Sequence, residues 1–284
     1  MSERTVFKTP KRLLERVIEL DNSPVAIALC PDFELGEWRH KAVIEHLFDW
    51  LPEAALTPTE RELLRDEPNK LLSRAAIRVF KNTDPEKRGE VGEILLHAIC
   101  RQEFGTLPLI PRLFYKMRSN DSITSVDVVH LTVDPHTKKI GLWMGEAKLF
   151  DNVKRAMYSA YDSLKAFWDP EFLKEAKALI GPKIDSNAPY AETLAWLFEE
   201  ETSLDEIVDR ITIPICLAAD FDPTKITSRR TEEYLSEVQS ELESIREYYS
   251  DRIPADIHFV CIFVPLDCKE KMSSRMLKKL ESYQ

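Results

Sequence analysis

Two short, almost wholly apolar runs constrain this chain more than anything else in it: Ile211-Thr-Ile-Pro-Ile-Cys-Leu-Ala-Ala219, and Ile257 to Leu266. Each is far shorter than the ~20 apolar residues a membrane helix needs. Each is also too uniformly apolar for a strand with one wet face, so both read as strands buried on two sides. Between them Leu235, Val238, Leu242, Ile245 and Tyr249 recur at spacings of three and four, the mark of an amphipathic helix. Strand, helix and strand of this kind predict a parallel βαβ unit and therefore an α/β fold.

The remainder is placed around that unit. Residues 1–86 read as a mostly helical N-terminal region. Leu13, Leu14, Val17 and Ile18 form a stripe at helical spacing. A second helix through Ala42, Ile44, Leu47 and Trp50 is expected to end at Pro52. Thr57-Pro58-Thr59-Glu60 has the form of a capping box with proline at the first helical position. Leu71, Leu72, Ala75, Ala76, Val79 and Phe80 extend the pattern to a break at Asn82-Thr-Asp-Pro85. Residues 87–284 read as a second unit: a helix over 86–100, extended segments near 109–117, 124–133 and 139–148, a helix from Asp151, an acidic helical stretch, the βαβ unit and a basic terminal helix.

Charge and cysteine usage narrow the function. Asp and Glu total 49 against 39 Lys and Arg, a net charge of -10. A protein that grips DNA by its overall field should be basic, so this one needs a local basic patch or a partner that supplies the grip. Its 7 glycines argue against glycine-rich nucleotide loops. The 5 cysteines form no CxxC pair and read as reduced thiols, and the histidines offer no zinc spacing. With no apolar leader and no apolar stretch long enough to span a bilayer, the expectation is a cytoplasmic protein without membrane contact.

The chemistry concentrates between Ser125 and Lys148. Two β-patterned runs flank Asp134-Pro-His-Thr-Lys138, where Asp-Pro starts a turn. A hairpin centred between 136 and 137 sets Asp127 opposite Glu146. Lys148, two residues further on, shares the Glu146 face. Facing acids destabilise a sheet unless something neutralises them, and a hard divalent cation does so well. Two carboxylates, a cation and an ammonium suit in-line attack on a phosphodiester. The triplet alone means little: Glu175-Ala-Lys177 repeats it in a helical context, and Asp267-Cys-Lys269 fits its looser form. Only the first copy has an acid on the preceding strand, the small residues Gly145 and Ala147 around its own acid, and a helix immediately after. In Arg88-Gly-Glu-Val-Gly-Glu93, Glu90 or Glu93 could add a ligand, and Glu93 lies beside the buried stripe.

These residues carry a resemblance. A helix with Glu93, a strand with Asp127, a strand with Glu146-Ala147-Lys148, then helix and strand, resembles the αβββαβ core of the PD-(D/E)xK, or restriction-endonuclease-like, superfamily. RGEVGEILLHAI (88–99), KMRSNDS (116–122) and LWMGEAKLF (142–150) resemble the HamA nuclease subunits of the bacterial Hachiman antiphage defence system. FELGEWRHKAVIEHL (33–47) and HFVCIFVPLDCKEKM (258–272) do likewise, so the resemblance spans most of the chain. It implies metal binding by Asp127, Glu146 and the Ala147 carbonyl, with Glu93 as a further ligand and Lys148 as the catalytic lysine. The cofactor implied is Mg²⁺, with Mn²⁺ as second candidate. The partner implied is a HamB-type superfamily 2 helicase, and the substrate DNA, cut when infection is sensed.

Lys116, Arg118 and Asn120 before the hairpin, and Lys154 and Arg155 after the motif, are candidate phosphate contacts, each equally readable as ordinary surface charge. Arg229-Arg230 and Lys278-Lys279 read first as helix-end charges, and His97 and His130 as packed histidines. The expected function is a Mg²⁺-dependent DNA endonuclease acting with a helicase. The rivals are a non-catalytic adaptor of nuclease-like fold and an RNase using the same site.

Overall fold

The structure is a computed structural model that describes residues 8–82, 89–111, 126–188, 190–222 and 230–283. The chain opens with strands β1 (Glu15–Leu20) and β2 (Ala26–Cys30), then a small hairpin of β3 (Phe33–Glu34) and β4 (Glu37–Trp38). Helices α1 (His40–Ala55), α2 (Pro58–Leu63) and α3 (Pro68–Asn82) follow. Next come α4 (Glu90–Glu103), β5 (Leu107–Ile110), β6 (Val128–Val133), β7 (Ile140–Phe150) and α5 (Val153–Leu164). Helices α6 (Pro170–Ile180), α7 (Ala191–Ala195) and α8 (Leu204–Val208) lead to β8 (Ile211–Asp220), α9 (Glu232–Ser250), β9 (His258–Leu266) and α10 (Lys269–Glu281).

Seven strands form one sheet in the order β1-β2-β9-β8-β7-β6-β5. The two apolar runs are β8 and β9, adjacent and parallel, with α9 between them in sequence. Beta2 and β7 flank them, also parallel, and the antiparallel partners β1 on one side and β6-β5 on the other complete the sheet. Alternation along β9 assigns its sides: Cys261 and Phe263 join the core under α5, α6 and α9, while Val260, Ile262 and Val264 join the core under α1, α3, α4 and α10. Both faces of the sheet are covered, which is why these strands carry no polar alternation.

Two local expectations are corrected. The stripe Leu13, Leu14, Val17, Ile18 lies in and just before a strand, not a helix. A bulge between Arg16 and Ile18 breaks the two-residue alternation and leaves adjacent apolar positions that imitate helical spacing. Helix α1 runs through Pro52 to Ala55. Leu51, Ala54, Ala55 and Leu56 are all buried, and that packing outweighs the one backbone hydrogen bond a late proline removes. The capping box forms in full: the Thr57 hydroxyl accepts from Glu60 N at 3.2 Å, and Glu60 Oε2 accepts from Thr57 N at 3.1 Å. The break at 82–85 lies largely outside the described residues.

Candidate active site

The hairpin register follows from its turn. Asp134 Oδ1 accepts from the amides of His136 and Thr137, closing the turn, and Lys138 takes the positive φ of 59°. Every pair from Val133↔Ile140 to Val128↔Gly145 then has the register that sets residue 127 against 146. The regular ladder stops one pair short of them. Asp127 N donates to the Gly145 carbonyl at 2.8 Å, and the Asp127 carboxylate accepts from Ala147 N at 2.8 Å. Asp127 thereby replaces, with its side chain, the backbone acceptor that a longer β6 would provide. Because Gly145 and Ala147 bond toward β6, the Ala147 carbonyl is directed to the same strand end.

Gly145 is required by its neighbour. Pro214 sits inside β8, where a proline cannot donate to the ladder. The β7–β8 pairing runs Trp143↔Thr212 and resumes at Glu146↔Ile215, leaving Gly145 beside Pro214. A Cβ on Gly145 would lie 2.5 Å from Pro214 Cγ and 2.6 Å from its carbonyl oxygen. The small residue before the acid is a packing necessity.

Glu146 and Lys148 point to the α5 side of the sheet. Lys148 Nζ lies 2.5 Å from Glu146 Oε1 and donates to Ser163 Oγ of α5 at 3.0 Å. Ser163, which sequence reasoning passed over, carried only one signal, its place on the helix after the motif. Glu146 is 4% exposed. Burial raises its carboxyl pKa, Lys148 and Ser163 oppose the rise, and the charge of Glu93 adds to it. Glu93 comes from the first turn of α4, which packs on β7 at Gly92: a Cβ there would be in ordinary contact with Ala147 Cβ at 3.5 Å, and only a larger side chain would be excluded. Asp127 borders the α4 side, where its charge adds to burial in pushing the Cys216 thiol up to about 12. Among the described residues no three His, Cys, Asp or Glu side chains converge closely enough to hold a metal. The three carboxylates surround the end of β7 without meeting at one point, and Lys148 holds the place beside Glu146 that a cation would take.

A small cavity between α4 and β6 is lined by Glu93, His97, Asp127, Val128 and His130, with Ala54 and Ile110. Behind it runs a buried hydrogen-bonded chain. His97 Nε2 is 3.1 Å from Glu53 Oε2, His97 Nδ1 is 3.0 Å from His130 Nε2, and His130 Nδ1 is 2.8 Å from Thr106 Oγ1. Burial pushes the Glu53 carboxyl up, but His97, Arg101 and Arg61 outweigh it and hold it at about 2. Glu53 therefore only accepts. His97 donates through Nε2, accepts at Nδ1 from His130, and His130 accepts from the Thr106 hydroxyl. Burial lowers the pKa of both histidines, in keeping with neutral rings. The two histidines are packed, as expected; their acid and arginine partners come from α1, α2 and the far end of α4, too distant in sequence to be seen together.

The other candidates separate. Lys116, Arg118 and Asn120 lie outside the described residues. Lys154 is exposed on the first turn of α5, near Glu241 of α9. Arg155 is paired with Asp151 at 2.7 Å. Glu175 and Lys177 lie on α6, with Lys177 Nζ donating to the Thr202 carbonyl at 2.6 Å. Asp267 holds His40 at 3.0 Å. Asp220 Oδ1 also accepts from the Lys269 amide, so this triplet too has a second acid beside it, but its Asp267 is engaged by His40 and by Lys271 at 2.8 Å.

The fold and site together define a mixed α/β protein that presents two acids and a lysine where a β-hairpin meets a parallel sheet. The chain belongs to the HamA family, whose model matches residues 8–280, and with it to Hachiman antiphage defence. No curated protein matches the sequence. Among the described residues no helix is long and apolar enough to cross a membrane.

Proposed function

We propose that this chain is a Mg²⁺-dependent DNA endonuclease, the effector subunit of a two-component complex with a HamB-type superfamily 2 helicase. The observation that carries the reading is the end of β7: Glu146 ion-paired to Lys148, with the Asp127 carboxylate bonded to the intervening Ala147 amide. The order α4-β5-β6-β7-α5-β8 supports it, being that of the PD-(D/E)xK core. So does the donor set, since Asp127, Glu146 and the Ala147 carbonyl are all oxygen ligands of the kind Mg²⁺ or Mn²⁺ takes, with Glu93 behind them. The mutual repulsion of Glu93 and Glu146 is what a divalent cation relieves.

Bound Mg²⁺ would supply activation of water and neutralisation of charge on the scissile phosphate. The protein's own groups do the rest. Lys148, released from Glu146 and steadied by Ser163, stabilises the negative charge that builds on the phosphoryl oxygens. Asp127, fixed by the Ala147 amide, holds its oxygens at the strand end without rotational freedom. The rigid sheet keeps these groups aligned through attack.

Glu146→Ala or Lys148→Ala is expected to reduce plasmid cleavage in Mg²⁺ by at least a hundredfold while the complex with the helicase still co-purifies. Cleavage at the wild-type rate by either variant would overturn the site. The adaptor reading draws on two observations: Lys148 occupies Glu146, and among the described residues no three ligands converge. A plasmid assay with Mg²⁺ and with EDTA separates the two, and RNA offered alongside DNA tests the polymer.

A further inference from the structure

Helices α1 and α10 pack side by side, on the same side of the sheet as α4, and leave a groove of about 330 Å³ lined by Lys41, Ile44, Glu45, Arg275, Lys278 and Lys279. Four of those six residues are cations, on a chain whose net charge is -10. Several cations elsewhere are neutralised: Arg12 and Arg16 by Glu103, Arg65 by Glu62, Arg74 by Glu60, Lys165 by Asp162. Within the groove Glu45 pairs with Lys279, which also lies 4.6 Å over the Phe48 ring. Lys41, Arg275 and Lys278 have no carboxylate partner among the described residues and are exposed. With Glu45 taken by Lys279, three like charges remain close together and repel one another, so neither folding nor helix stability accounts for all of them. Lys278 complements the C-terminal end of α10, but Lys41 lies in the first turn of α1, where a cation opposes the helix dipole and no acid is present.

We propose that this groove is a track for the phosphate backbone of nucleic acid, the local basic patch that an acidic nuclease requires; the inference rests on the nuclease reading and extends it. Arg275 and Lys278 lie one turn apart on α10, with Lys41 across the groove, so successive phosphates of one strand meet successive cations. Arginine adds a bidentate fork and lysine a point charge. An acidic protein segment is the other polyanion to weigh. Protein interfaces are anchored by aromatic or aliphatic side chains in pockets, and here Ile44 and Phe48 are buried beneath the charges. A groove with four cations among its lining residues, and with Ile44 and Phe48 almost wholly buried, fits backbone contact, which positions a strand without reading its sequence.

The test measures binding of a fluorescent DNA duplex to the full chain in EDTA, so that no cleavage occurs, across a series of salt concentrations. Arg275→Gln/Lys278→Gln is expected to weaken binding at least tenfold and to flatten the log–log salt slope by about two, close to one per lost phosphate contact. Arg275→Glu/Lys278→Glu and Lys41→Glu should weaken it further. Arg65→Gln/Lys174→Gln, which removes two cations elsewhere, should leave both quantities unchanged, and thermal melts verify that each variant is folded. Wild-type affinity and slope in the groove variants would overturn the proposal, as would a wild-type chain that binds no duplex. Loss of polyglutamate binding with DNA binding intact would also overturn it, in favour of an acidic protein partner. Cleavage in Mg²⁺ on the same preparations keeps the two readings apart. A chain that binds through the groove but never cuts rejects the nuclease alone; one that cuts while the groove variants bind normally rejects the groove alone.

Discussion

Glycine 145 and glutamate 53 illustrate how single residues are fixed by surroundings that lie far away in sequence. Gly145→Ala places a methyl group into Pro214 from both its ring and its carbonyl, and backbone cannot give way as a flexible side chain would. A cost of about 1–3 kcal/mol is expected, read as a lower melting temperature. Because residue 146 follows directly, cleavage should fall with it. Glu53 is 4% exposed and holds His97, Arg101 and Arg61 together. Its carboxyl is depressed to about 2, so the stabilisation it gives is complete above the unfolded value near 4.5 and is lost as pH falls toward about 2. Urea melts between pH 6 and pH 3 should show this decline, and Glu53→Gln should remove that part of it. Glu53→Ala strands two arginines in a buried site and is expected to cost about 3–5 kcal/mol.

At the scale of elements, the site depends on how closely α4 lies on β7. Gly92 permits the approach, and its missing Cβ has Ala147 and Leu149 at ordinary contact distance. Gly92→Ala should therefore be tolerated. Gly92→Leu has no room and must lift the helix, carrying Glu93 away from Glu146. Plasmid cleavage is the measurement: the alanine variant should cut near the wild-type rate and the leucine variant at least tenfold more slowly. Much at this scale was legible in the sequence. The Asp-Pro turn gave the β6–β7 register for every pair that forms, and the capping residues placed α2. The buried strands β8 and β9 were evident from their apolar runs. Beta1 was not, because its bulge disguised a strand as a helix, and neither was the continuation of α1 past Pro52, which tertiary packing enforces.

On the scale of the whole molecule, the N-terminal strands belong to the same sheet as the candidate site. Beta2 pairs in parallel with β9 through Ala26↔Cys261, Ile27↔Ile262 and Ala28↔Phe263, all fully buried. A chain beginning at residue 87 would open that edge and uncover the part of the sheet face that α1 and α3 now cover. Such a fragment is expected to be insoluble, or to associate through the open strand edge, when compared with the full chain by size-exclusion chromatography. The opposite result, a soluble monomer, would make 87–284 an independent unit.

By itself the sequence determined the α/β class, the β6–β7 register from Val133↔Ile140 to Val128↔Gly145, and Lys148 on the Glu146 face, because strand periodicity and turn chemistry act over a few residues. Tertiary structure alone decided that Asp127 would bond to the Ala147 amide, that Glu93 would approach from α4, and that Lys148 would bridge Glu146 and Ser163. It also assembled the Glu53–His97–His130–Thr106 chain and the basic groove between α1 and α10. These join residues tens to hundreds of positions apart, and no local pattern encodes such distances: they arise when both faces of a seven-stranded sheet are buried at once.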